Sequence, residues 1–107
     1  MIKLSSTVQS SRARALPVVV NGALQRLGTR VTMARKLRGL TQQELAHLAD
    51  VSISTVRSME DGAEGVGLGN FCKVLDALGL LDQLEQLLDA RHDPETLAFA
   101  QRKLGLS

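Results

Sequence analysis

The 107-residue sequence predicts an all-α protein, a compact bundle of five to six helices behind a basic N-terminal arm. Three observations predict it. Apolar residues recur at helical spacing through successive segments. Capping residues open several of those segments: Thr41 with Glu44 three residues on, Ser52, and Asp93 just before Pro94. Gly39 and Gly79 stand where the periodicity ends.

Met1 to Leu16 is Ser-rich and basic, with no sustained apolar period. It reads as a mobile arm whose Arg12 and Arg14 reach phosphates or a minor groove, or as a tail with no role. Pro17-Val18-Val19-Val20 is either a short extended piece or the lead-in to a helix starting near Asn21. Leu24, Leu27, Val31, Ala34 and Leu37 then mark the buried face of a first helix that stops at Gly39, with Arg30 and Arg38 on its wet side. Leu45, Ala46, Leu48 and Ala49 form the apolar face of a second helix, capped by Thr41. His47 faces outward. Asp50-Val51-Ser52 breaks the pattern, and Ser52 caps a third helix with Val56 and Met59 inward. Ile53, Ser54, Arg57 and Ser58 are left pointing away from the core, while Thr55 packs against the second helix.

Asp61 to Gly69 reads as a flexible connection. Its GVGLG lacks the GK[ST] ending of a phosphate loop and follows a helix instead of a strand. A fourth helix spans about Leu68 to Leu78, with Leu68, Phe71, Cys72, Leu75 and Leu78 on its buried stripe. Leu80 to Leu88 supplies a fifth. Its apolar positions exceed what so small a domain can hide, which points to self-association through Leu81, Leu84, Leu87 and Leu88. A sixth helix runs to Leu104, with Leu97, Phe99, Ala100 and Leu104 available for packing or for a partner. The chain thus divides into an arm (1–16), a helical domain (17–90) and a C-terminal helix and tail (91–107).

Composition narrows the function. Trp and Tyr are absent, and Phe71 and Phe99 are the only aromatics, which argues against readers that stack bases on aromatic platforms. No run approaches a membrane span, and the N-terminus is a poor signal peptide, so a cytoplasmic protein is expected. Cys72 is alone and fits a buried small hydrophobe better than a nucleophile. With His47 and His92 far apart in sequence, no metal site is expected. There is no Ser/His/Asp set and no readable pair of carboxylates, so the expectation is a binding protein without cofactor, not an enzyme. Net charge is only +2, but residues 1–43 hold eight basic side chains and no acid, whereas residues 44–107 hold five basic and eleven acidic ones. That asymmetry suggests one surface for a polyanion and another for a different partner.

Leu40 to Glu60, LTQQELAHLADVSISTVRSME, resembles the helix-turn-helix of the lambda-repressor/Cro-like (Xre) family. RVTMARKLRGL before it and NFCKVLDALGL after it resemble that family's first and fourth helices. A departure that matters is Asp50, at a turn position usually held by Gly because the backbone there is left-handed. The resemblance implies a lambda-repressor-like fold whose third helix enters the major groove of double-stranded operator DNA. Gln42, with Gln43 as a weaker candidate, would meet a phosphate at a helix N-terminus. Ser52, Ile53, Ser54, Arg57 and Ser58 would contact DNA, Arg57 by bonding a guanine bidentately. Arg35 would pair with Glu60 and tie the first helix to the third. The longer pattern, LPVVVNGALQRLGTRVTMARKLRGLTQQELA with VGLGNFCKVLDALGLLDQLEQLLD, resembles HipB-like regulators. It implies a homodimeric repressor and antitoxin with a HipA-like kinase toxin as partner. The alternatives are a free-standing or phage-type Xre repressor, or a protein-interaction module.

Overall fold

The computed structural model describes residues 16–105, and over them the chain is helical with no strand. Arg12 and Arg14 lie outside the described residues. Six α-helices follow in order: α1 (Val18–Leu37), α2 (Gln42–Ala49), α3 (Ile53–Glu60), α4 (Leu68–Ala77), α5 (Leu81–Glu85) and α6 (Pro94–Leu104). A 3-10 turn, Ala90–His92, precedes α6.

α3 is the hub, packing on α1, α2 and α4, while α2 also packs on α4. The core they enclose is built from Val31, Leu45, Ala46, Ala49, Val56, Met59, Val74 and Leu78. Leu45, Val56 and Val74 are fully buried, each worth ~1.5–3 kcal/mol relative to exposure. Alanines at 46 and 49 leave room for neighbouring helices to come close. α5 attaches to α4, and α6 packs on its own 3-10 turn.

Local chemistry explains the boundaries. Thr41 Oγ1 accepts from Glu44 N at 3.0 Å, and Glu44 Oε1 accepts from Thr41 N at 2.8 Å, a complete capping box. Asp50 ends α2 in the left-handed region (φ 57°, ψ 49°). Ser52 caps α3 by accepting from Thr55 N at 3.0 Å. Asp93 caps α6 by accepting from Glu95 N at 3.2 Å, with Pro94 at the first helical position.

Several expectations are corrected. Val18–Val20 is neither an extended piece nor a lead-in to a helix near Asn21, because α1 itself begins at Val18. Of the α1 residues expected inward, Val31 is buried, Ala34 packs against the core and Leu24 is half-buried, but Leu27 and Leu37 are exposed, and Gly28 and Arg35 complete the buried stripe. The reason is steric. A Cβ on Gly28 would fall on the Glu60 carbonyl oxygen and 2.7 Å from that of Met59, so α1 meets α3 backbone to backbone at this face. Leu48 is exposed because α2 turns Leu45, Ala46 and Ala49 inward instead. Leu68 is exposed, and Val74, unassigned from sequence, is the buried centre of α4. α5 is shorter than expected: it stops at Glu85, and Leu88 follows in a left-handed conformation (φ 64°).

Candidate nucleic-acid interface

α3 sits in the bundle by one face and shows the other. Val56 and Met59, three residues apart, are buried, while Ser54 and Arg57, at the same spacing, are exposed. Ser52 is exposed at the helix start, where its Oγ lies 3.1 Å from Ser54 Oγ and 2.8 Å from Thr55 Oγ1. Two of the sequence-assigned contacts are turned further inward than expected. Ile53 is half-buried against the core cluster, and Ser58 is half-buried as well. Only part of either side chain is left for an outside molecule.

The far end of α3 is locked by a buried ion pair. Arg35 Nε donates to Glu60 Oε2 at 2.6 Å and Nη2 donates to Oε1 at 3.0 Å, with the two side chains 9% and 4% exposed. The remaining guanidinium nitrogen, Nη1, donates to the Leu40 carbonyl at 2.8 Å. Gln42 Nε2 donates to Glu60 Oε1 at 3.0 Å. One carboxylate therefore joins α1, α2 and α3. Burial alone would push the Glu60 carboxyl up. Hydrogen bonds from Arg35 and Gln42, with the guanidinium charge, outweigh that and hold it below its ordinary range. The Arg35 guanidinium is held more firmly protonated, chiefly by its bond to Glu60 and against the effect of burial.

This network alters the reading of Gln42. Its amide N–H is directed at Glu60, not outward, so the side chain is half-buried and braces α2 against α3. What the N-terminus of α2 offers outside is its backbone. The capping box uses the N–H groups of Thr41 and Glu44, and those of Gln42 and Gln43 are left over. Gln43 is exposed beside them.

Two positioning interactions carried no sequence signal. Lys73 Nζ donates to the Asp50 carbonyl at 3.1 Å, fastening α4 to the turn between α2 and α3. Arg38 Nε donates to the Leu78 carbonyl at 2.9 Å, fastening the end of α1 to the end of α4. The partners are 23 and 40 residues apart in the chain. Local pattern cannot see such pairs. Gly28 is a third case, and its only trace was a glycine inside a helix that costs ~0.5–1 kcal/mol relative to Ala.

A family model described as a helix-turn-helix domain matches residues 26–88, more than half of the chain. The chain belongs to this family of DNA-binding domains. No curated protein and no solved structure matches it. The match begins within α1 and runs past α5, so it takes in the whole α3-centred core and both elements of the helix-turn-helix. Among the described residues, no group of His, Cys, Asp and Glu is arranged to hold a metal, and no helix is long and apolar enough to cross a membrane.

Proposed function

We propose that this helix-turn-helix protein is a sequence-specific double-stranded DNA-binding transcriptional regulator that represses by occupying an operator. The observation that carries the reading is the posture of α3: anchored by Val56, Met59 and Glu60, exposed at Ser54 and Arg57. Arg57 bonds guanine O6 and N7 in the major groove, and Ser52 and Ser54 bond bases or phosphates at the helix start. Ile53 offers the edge of its side chain to a thymine methyl, and Ser58 its hydroxyl to a phosphate. The free N–H groups at the start of α2 take a backbone phosphate, with the Gln43 amide beside them. Arg12 and Arg14 add phosphate or minor-groove contacts from the arm.

A homodimer would present two copies of α3 about one DNA turn apart, ~34 Å. The kinase-toxin partnership is a second role favoured by the resemblance to HipB-like regulators and by exposed Leu87 and Leu88 after α5. Co-purification with a kinase-like neighbour, abolished by Leu88→Glu, would support that role.

The deciding experiment titrates the purified chain against DNA from upstream of its own gene and against a scrambled duplex, at two salt concentrations. Tight, selective binding with a steep salt slope supports operator recognition. Equal weak binding to both duplexes would defeat it.

A further inference from the structure

We infer that Asp61 is a positioning residue for DNA recognition: its carboxylate holds the Arg57 guanidinium against a guanine and so sets the base preference of α3. This role rests on the operator binding proposed above and names what makes Arg57 a base reader. Asp61 closes α3 at its C-terminal end, yet its backbone is still helical (φ −81°, ψ −4°), and its N–H donates to the Arg57 carbonyl at 2.9 Å. It therefore extends the outward stripe that runs through Ser54 and Arg57, and like them it is exposed. Arg57 stands one helical turn earlier, roughly 6 Å along the axis. Helical side chains lean toward the N-terminus, which carries the Asp61 carboxylate back over the turn that bears Arg57.

Two fields oppose a carboxylate at this point. The C-terminal end of a helix carries partial negative charge, which disfavours an anion as it favours a cation. Duplex DNA against α3 adds phosphates, and a carboxylate has no proton to offer them. Only a donor makes the position favourable. Among the described residues Asp61 has no cationic partner: the ion pairs there join Arg35 to Glu60, Lys73 to Asp50 and Arg91 to Asp89. Asn21 and Gln25 of α1 line an open cleft with Asp61, but neither amide bonds its carboxylate. Arg57 has no carboxylate partner there either. A basic residue placed before an acidic one is the weaker order for a pair on a helix, so the two stay apart until DNA arrives.

Guanine completes the arrangement. Its O6 and N7 accept two N–H groups of the guanidinium fork, and a carboxylate over the same turn accepts from the others. Bonded on both sides, the fork is held in the plane of the base. The competing arrangement, with Arg57 swung to a phosphate, brings that phosphate toward the Asp61 carboxylate and is disfavoured by repulsion. A bare Arg here would take either. With Asp61 beside it, Arg57 takes the base.

The test compares the wild type with Asp61→Asn, Asp61→Glu, Arg57→Ala and the double variant of Asp61→Asn with Arg57→Ala. Glu64→Gln, at an exposed position of the same connection, controls for charge alone. Each is titrated against the operator, its single-base variants and a scrambled duplex, and urea midpoints check folding. Asp61→Asn should lower discrimination about tenfold at the base position that Arg57→Ala relaxes, while affinity for the scrambled duplex holds or rises. Asp61→Glu should keep part of the preference. In the Arg57→Ala background, Asp61→Asn should change the preference no further. Three results overturn the inference. Asp61→Asn and Glu64→Gln strengthening every duplex alike, with preference unchanged, would reduce Asp61 to a bare charge. Preference lost at a different base, and lost in the Arg57→Ala background too, would make Asp61 a reader itself. Uniform weakening with a lowered urea midpoint would make it a structural contact of α3. Operator binding survives all three, because the wild type still separates operator from scrambled duplex. A wild type without that selectivity would remove operator binding and this role with it.

Discussion

Arg57 and Gln42 play different parts, one exposed and one turned to Glu60. Arg57 is exposed on α3 and unbraced, so its contribution depends on the base it meets. Arg57→Ala should relax preference at one base position by ~1–3 kcal/mol, read from affinities for a set of single-base operator variants. Uniform weakening across the set would assign Arg57 to phosphate instead. Gln42→Ala should lower stability by removing the brace on Glu60, and should weaken all sequences about equally only through the shift of α2 against α3 that follows. Glu60 itself sets a pH dependence. Its folded pKa lies below the ordinary value of 4.5, so its contribution is complete above that value and is lost as pH falls through the folded pKa. Urea unfolding from pH 7 downward should show stability dropping below about pH 4.5. Glu60→Gln should flatten that limb. Glu60→Ala should cost ~3–5 kcal/mol near neutral pH, since it strands the buried Arg35 guanidinium.

At the scale of elements, two close points decide how the helices meet. Gly28 is where α1 touches the C-terminal backbone of α3. Gly28→Ala gains ~0.5–1 kcal/mol of helix preference but must push the two helices apart. Overpacking of this kind costs ~1–3 kcal/mol, so a net loss is expected in denaturant midpoints, with DNA affinity falling alongside as α3 shifts. Asp50 is the opposite case. Its left-handed backbone (φ 57°) is costly for a side-chain-bearing residue, though least so for Asp and Asn. Its carboxylate is 4.0 Å from Lys73 Nζ and exposed, a pair of little worth. The stronger Lys73 bond goes to the Asp50 carbonyl, which any residue would retain. Asp50→Gly should therefore stabilise the fold by ~1 kcal/mol, measurable as a higher urea midpoint with unchanged slope.

For the whole molecule the charge asymmetry is the leading feature. Residues 1–43 carry +8 and the remainder −6, so phosphate attraction should come from the first part of the chain. Neutralising Arg12 and Arg14 together should make the log-affinity against log-salt slope shallower by about 2, at ~0.9 for each phosphate no longer neutralised. An unchanged slope would mean that neither arginine touches a phosphate. The helix-turn-helix family match covers residues 26–88 and leaves residues 1–25 and α6 outside it.

The sequence by itself determined the turns and caps around α2, α3 and α6, though not the start of α1 or the end of α5. The capping box of Thr41 and Glu44, the caps at Ser52 and Asp93, and the Asp50 turn are interactions between residues a few positions apart, so each leaves a local signature. It also determined the inward face of α3, because Val56 and Met59 follow the helical period. Tertiary structure alone decided which face of α1 is buried, since that depends on a backbone approach at Gly28 to residues more than thirty positions away. It alone directed Gln42 at Glu60 and turned Ile53 partly inward. Periodicity marks an apolar face to within a residue or two, but the packing partner selects the stripe within it. For polar side chains, whether an amide meets water, a phosphate or a buried carboxylate is settled by what the fold brings opposite.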